Sequence, residues 1–155
     1  IFGTIALAQA TLVGLGDLYF LKVQHAHPLQ FMGTLWLTAV VFSSLLYTFI
    51  ATFGNAGKAL GVLFLVLQIS GAGGTFPLAI LPSFFSSVSP FLPATHAIKA
   101  LRASIAGYSG HEYADAMWFL ASFILFAAFL GLALRPLLVR NNRRMAEKLE
   151  ATKLL

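Results

Sequence analysis

GAGGTFPLAILPSFFSSVSPFLPATHAIKALRASIAG, residues 71–107, decides how the chain is read. The stretch is apolar enough for lipid, yet Gly73, Gly74, Pro77, Pro82, Pro90 and Pro93 interrupt any single helix through it. In a bilayer, backbone groups freed by such residues must be satisfied by neighbouring protein or by a water-filled cavity. A segment of this kind therefore belongs at a re-entrant element or a pore mouth and not against lipid, which points towards transport.

The surrounding sequence supplies the membrane. Hydrophobic residues make up 59% of the chain and charged residues 10%, with a mean hydropathy of +0.85; average soluble domains carry roughly 25% charge. The apolar runs predict spans over about 1–20, 31–53, 59–76 and 116–139, each approaching the length a bilayer core of about 30 Å demands. Gly71, Gly73 and Gly74 weaken the third span near its end. The first residues lack a basic region and a small-residue cleavage site, so they do not read as a signal peptide. The chain reads as the C-terminal fragment of something longer. Cysteine is absent, which excludes disulfides, thiolate metal sites and Cys nucleophiles.

Within the interrupted stretch, two pieces are short: Leu78 to Val88 and Ala94 to Ala106, separated by Ser89, Pro90 and Pro93. Proline stops the first and suits the N-terminus of the second. In the second piece Ala94, Ile98, Leu101 and Ile105 share one helical face, while Thr95, Lys99 and Arg102 share another, the pattern of a helix lying at an interface. Neither piece can span, so residues 77–107 predict a re-entrant hairpin. The expected fold is an all-α membrane protein: four transmembrane helices plus an outer re-entrant helical hairpin before the last helix, forming one transmembrane domain over 1–155.

Lys and Arg placement orients this bundle, because basic flanks stay in the cytoplasm. Arg135, Arg140, Arg143, Arg144, Lys148 and Lys153 cluster at and after the last span, and four spans put Lys58 on the same side. Only Lys22, Lys99 and Arg102 fall on the other. The C-terminal tail, 140–155, is therefore expected in the cytoplasm against anionic headgroups, and the net charge of +5 needs no nucleic acid to explain it. Tyr108, Tyr113 and Trp118 read as aromatic anchors at the outer surface. Small residues four apart (Ala6, Ala10 and Gly14; Gly57 and Gly61; Ala127 and Gly131) allow close helix approach.

Polar residues inside the spans are sparse. Asp17 reads either as an interface residue reaching solvent or as an ion site. Gln9 and Gln68 lie deeper and either bond between helices or line a path, and Thr75 is a further candidate polar residue of that path. Thr38, Ser43, Ser44, Thr48 and Thr52 can bond back to their own helix carbonyls. Gly54 to Ala59 is not a phosphate-cradling loop, since two residues instead of four separate its glycines and Ala59 stands where a hydroxyl is needed. His25 and His27 lack the further ligands of a metal site. The acids are too scattered for a general acid and base pair. The expectation is a non-enzyme with no metal.

The succession Gly73, Gly74, Thr75, Phe76, Pro77, then Leu81 and Pro82, then Ser89 to Pro93, and finally Ala97, Ile98 and Arg102 resembles the signature before the last helix of type-two ATP-binding-cassette exporter permeases. Within that superfamily the stretch is most similar to the C-terminal membrane region of the YhgE/Pip group, the phage infection proteins. The resemblance implies six helices per subunit, with the first helix and a large extracellular domain preceding the last five, so that this chain holds helices three to six. It implies that residues 73–102 form an outer hairpin, and physically such a hairpin would act as a gate, with Gly73, Gly74, Phe76, Pro77, Pro82, Pro90, Pro93, Lys99 and Arg102 as its motif. It implies a homodimer or heterodimer of permease subunits in the bacterial plasma membrane. ATP would be bound by a separate cytoplasmic ATPase, with no cofactor in this chain. The same group is also described as phage receptors and relatives of a secretion component, which leaves a non-transporting anchor or scaffold as the other reading.

Overall fold

The computed structural model describes residues 1–22, 24, 26–74, 77–107 and 111–153, with side-chain surroundings described as far as 134 except at position 78. All regular elements among them are helical: α1 (Phe2–Leu15), α2 (Pro28–Phe53), α3 (Asn55–Gly71), α4 (Ser83–Val88), α5 (Pro93–Ala106) and α6 (His111–Lys153). Short 3-10 turns at Leu78–Ile80 and Ser89–Phe91 flank α4, and α1 continues as a π-helical turn over Gly16–Phe20.

Chain punctuation sets these limits. Pro28 and Pro93 open α2 and α5, where a missing N–H is harmless and φ is already helical. Gly54, with φ of 58°, turns α2 directly into α3, and Gly107, with φ of 77°, closes α5 by donating its N–H to the Ala103 carbonyl, a left-handed C-terminal cap that glycine adopts at least cost. Several expected boundaries move as a result. The second helix starts at Pro28, not 31. The third runs over 55–71, not 59–76, because the single-residue turn at Gly54 starts it early and the glycines after Gln68 end it. The last begins at His111 and continues without a break through the expected tail to Lys153.

Helix α2 is the hub: α1, α3, α5 and α6 all pack on it. Trp36 donates its indole N–H to Thr11 Oγ1, and Gly14 meets Met32, so α1 runs antiparallel to α2. Gly57 and Gly61 lie against Phe49 and Leu46, and Phe42 and Phe49 pack on Phe64, which makes α3 antiparallel too. Tyr113 donates to the Gln30 carbonyl, and farther along Thr48 Oγ1 donates to the Ala127 carbonyl at 3.3 Å, so α6 runs parallel to α2. The Gly54 turn and the distal part of α6 therefore share one end of the bundle. The segment joining α1 to α2, the C-terminus of α5 and the start of α6 share the opposite end.

Burial is distributed opposite to that of a water-soluble domain. The contacts between helices are made by Gly14, Gly57, Gly61, Thr34, Thr48, Ala97, Ala100, Ala103 and Ser104, with Val41, Leu45 and Leu120 at the centre. Large apolar side chains point outward, Leu125 at 74% exposure and Phe129 at 70% among them. In water such a surface would be costly. In lipid it is the expected one, because association there is driven by close packing of small residues and not by apolar burial. Two helices, Pro28–Phe53 and His111–Leu134, are long and apolar enough to cross a bilayer. Helix α3, at 17 residues, is a shorter apolar helix.

The α2–α3 contact offers a direct test. A Cβ on Gly57 would strike the Phe49 carbonyl, which is backbone, whereas one on Gly61 would meet only the flexible end of Leu46 at 3.1 Å. Gly57→Ala should cost about 1–3 kcal/mol by overpacking, and Gly61→Ala less than about 1 kcal/mol. Thermal unfolding of the two variants in detergent checks the order, and equal effects would contradict the packing described.

Candidate functional site

Helix α5 is 14 residues long, about 21 Å at 1.5 Å per residue. Its position in the bundle follows from its neighbours. At its C-terminus, the Ser104 and Ile105 carbonyls accept the N–H groups of His27 and Ala26, at the mouth of α2. One turn into the helix, His96 stacks on Phe119 of α6 with ring centroids 3.9 Å apart, and Ala97 joins Val41, Leu45 and Leu120 in the buried cluster. The N-terminus of α5 thus lies well along α2 and α6, while its other end sits at their mouths. Residues 78–92 carry the chain to that inner point from the α3 terminus.

The buried face of α5 differs from the expected one. Thr95, Ala97, Ala100, Ala103 and Ser104 are buried, whereas Ile98 and Leu101 are half-buried and Ile105 is 37% exposed. The large side chains mark the outward side because small residues are what allow α5 to fit between α2 and α6. Helix α5 is a packed element of the bundle, seated against α2 and α6. Lys99 and Arg102 are exposed, as their helical position suggested.

Gln68, only 2% exposed, holds the inner end. Its Oε1 accepts the Ala94 N–H at 3.0 Å, so a side chain of α3 caps the first turn of α5. The neighbouring bonds are local: Ser89 and Thr95 hydroxyls pair at 3.2 Å, Thr95 N–H reaches the Leu92 carbonyl, and His96 Nε2 donates to the Pro90 carbonyl at 2.8 Å. Gln68 Nε2 has no partner among the described residues. Of the two uses open to this glutamine, the bond between helices is the one observed.

At the outer end, Gly73 takes φ of 69°, and Arg102 Nη2 donates to its carbonyl at 3.0 Å. Ile98 presses against Gly74, where a Cβ would come within 2.6 Å of its Cδ1. Gly73, Gly74, Pro77, Lys99 and Arg102 consequently line one recess of about 450 Å³. Pro82 precedes α4, Pro90 sits in the 3-10 turn and Pro93 opens α5. Thr75, Phe76 and Tyr108 lie outside the described residues, as does His25.

The remaining polar residues are not brought to this site. Gln9 is exposed on α1 and Asp17 is half-buried in the π-helical turn, on a helix that packs chiefly against α2. Thr38, Ser44 and Thr48 donate to carbonyls of their own helix, so their hydroxyls are committed. His96 and the paired hydroxyls of Ser89 and Thr95 escaped sequence reasoning. Their only signal was their position either side of Pro90 and Pro93.

Among the described residues this arrangement defines an all-helical membrane protein with two helices able to cross a bilayer and α5 packed against both. The chain is 32% identical over 135 residues to the uncharacterized protein YhgE of Bacillus subtilis (strain 168), a match that covers 86% of this chain and 16% of that relative's length. Most of the chain is therefore YhgE-like, while it spans only a small part of the curated relative it matches. No family model matches the chain, and no solved structure does.

Removing the cap should loosen α5 from its inner end. Gln68→Leu leaves the Ala94 N–H without an acceptor, a loss of about 1–3 kcal/mol for a buried group, whereas Arg102→Ala removes an exposed bond and should leave thermal stability near that of the parent. Hydrogen exchange at residues 94–97 should accelerate in Gln68→Leu alone. Unchanged exchange there would contradict the capping role.

Proposed function

We propose that the chain is part of a YhgE/Pip-group membrane protein acting as the permease subunit of an ATP-binding-cassette type exporter, with four transmembrane helices and a re-entrant hairpin at the outer leaflet. One observation carries the reading: the interrupted segment is packed beside α2 and α6 by a buried cap at Gln68 and an exposed tie from Arg102 to Gly73. A helix of this length, capped at its start by a buried side chain and tied at its other end by Arg102 and by the segment that leads into α2, is suited to gating, because the ties at one end can rearrange without breaking those at the other. The parallel course of α2 and α6 and the antiparallel course of α1 and α3 support four passes, and the basic tail supports a cytoplasmic C-terminus.

On this reading a separate cytoplasmic ATPase supplies the energy, a homodimer or heterodimer encloses the path, and this chain does no covalent chemistry. The sparse interior polarity favours an amphipathic or lipid-like substrate. Arg102→Ala should shift the balance of open and closed hairpin about fivefold, the worth of about 1 kcal/mol.

Two measurements test the proposal. Single cysteines at Lys22, Lys58 and Lys99, introduced into a cysteine-free version of the full-length protein, should be labelled by an impermeant maleimide at positions 22 and 99 in intact cells and at 58 only after permeabilisation. Labelling of 99 together with 58 would overturn the topology. Full-length protein reconstituted with its cognate ATPase should stimulate ATP hydrolysis, and Arg102→Ala should uncouple it from export. A full-length protein that serves as a phage receptor with no ATPase partner would overturn the exporter and favour the scaffold.

A further inference from the structure

A second recess, of about 810 Å³, opens between α5 and α6 at the same end of the bundle. Antiparallel pairing of the two helices brings His96, Lys99 and Arg102 along one wall and Glu112, Asp115 and Phe119 along the other. Ala103, Ala106 and Ala116 leave the space between them. The residues are far apart in sequence, and their charges balance: two cations face two carboxylates. Among the described residues no ion pair joins the walls; Lys99, Glu112 and Asp115 are exposed, and Arg102 spends one N–H on the Gly73 carbonyl. Most of the lining is apolar, and Ile105 and Phe119 are exposed at its rim.

We propose that this groove binds a zwitterionic phospholipid with a primary ammonium head group, of the phosphatidylethanolamine class. Lys99 and the Arg102 N–H groups not used on Gly73 take the phosphate as charge-assisted hydrogen-bond donors. Glu112 and Asp115 take the ammonium, and the apolar lining takes the start of the acyl chains. A free carboxylate pair prefers a primary ammonium, which donates hydrogen bonds, over a quaternary one, which has none to donate. The carboxylates also disfavour an anionic lipid with no cation to offer. A volume within the usual range of about 300–1,000 Å³ for small-molecule sites agrees with this size of ligand. The site stands on the α5–α6 geometry and holds whether or not an ATPase drives the protein.

Native mass spectrometry of the full-length protein in detergent, titrated with dioleoyl phosphatidylethanolamine, phosphatidylcholine and phosphatidylglycerol, tests the assignment. Phosphatidylethanolamine should bind about tenfold more tightly than either of the others, the worth of one charge-assisted hydrogen bond. The double variant Glu112→Gln, Asp115→Asn should erase that preference, and Lys99→Gln should weaken all three lipids. Ala106→Trp should block the groove without altering its charge, and keeps the test open if the charge variants fail to fold. Equal binding of the three lipids, or phosphatidylethanolamine binding unaffected by Ala106→Trp, would overturn the proposal. So would full displacement by soluble glycerophosphoethanolamine, which would make the ligand a free head group and not a membrane lipid.

Discussion

A polar backbone inside an apolar bundle has to be satisfied by the protein itself, and the rest of this structure depends on how residues 72–93 meet that requirement. Proline and glycine deny the segment a continuous helix. Near the inner turn, freed groups are answered by short 3-10 bonds, a hydroxyl pair, the His96 ring and the Gln68 side chain. Of these, Gln68 alone reaches from another long helix. It therefore joins the position of α5 to that of α3, and through Gly57 and Gly61 to α2.

Close packing supplies what apolar burial cannot. In lipid a leucine gains little by turning inward, so helices α2, α3, α5 and α6 meet largely through glycine, alanine, serine and threonine around Val41, Leu45 and Leu120, and turn out large side chains such as Leu125, Phe126 and Phe129. The same choice creates the recesses. Where Ala103, Ala106 and Ala116 face each other between α5 and α6, the small side chains leave room and the exposed Lys99, Arg102, Glu112 and Asp115 give that room its charge. Packing economy inside and ligand capacity outside thus arise from one compositional feature.

Much of this was legible in the sequence, for physical reasons that differ by element. Pro93 acts locally, so the start of α5 can be read without knowing any neighbour, whereas the apolar pattern alone put the second span at 31 and left Pro28 unused. The extent of α3 was misjudged because the single-residue turn at Gly54 leaves no loop to mark its start. The buried face of α5 was misread because hydrophobicity singled out Ile98 and Leu101, while the bundle selects for size and buries Ala97, Ala100 and Ala103. Gln68 was visible as a polar residue in an apolar helix, but its partner, a backbone N–H 26 positions away, was not. Glu112 and Asp115 looked scattered because only the α5–α6 pairing sets them opposite Lys99 and Arg102.

The central claim is that the turn before α5 lies deep within the bilayer and not at its surface. Phe91, 72% exposed at that turn, and Leu125, 74% exposed on α6, provide matched outward positions, and Trp118 provides a shallower reference. Spin labels at the three positions in the reconstituted full-length protein, read by their relative accessibility to oxygen and to a nickel chelate, report depth. The account predicts that the label at 91 matches the one at 125, deep in the hydrocarbon. A label at 91 as shallow as the one at 118, or shallower, would contradict it.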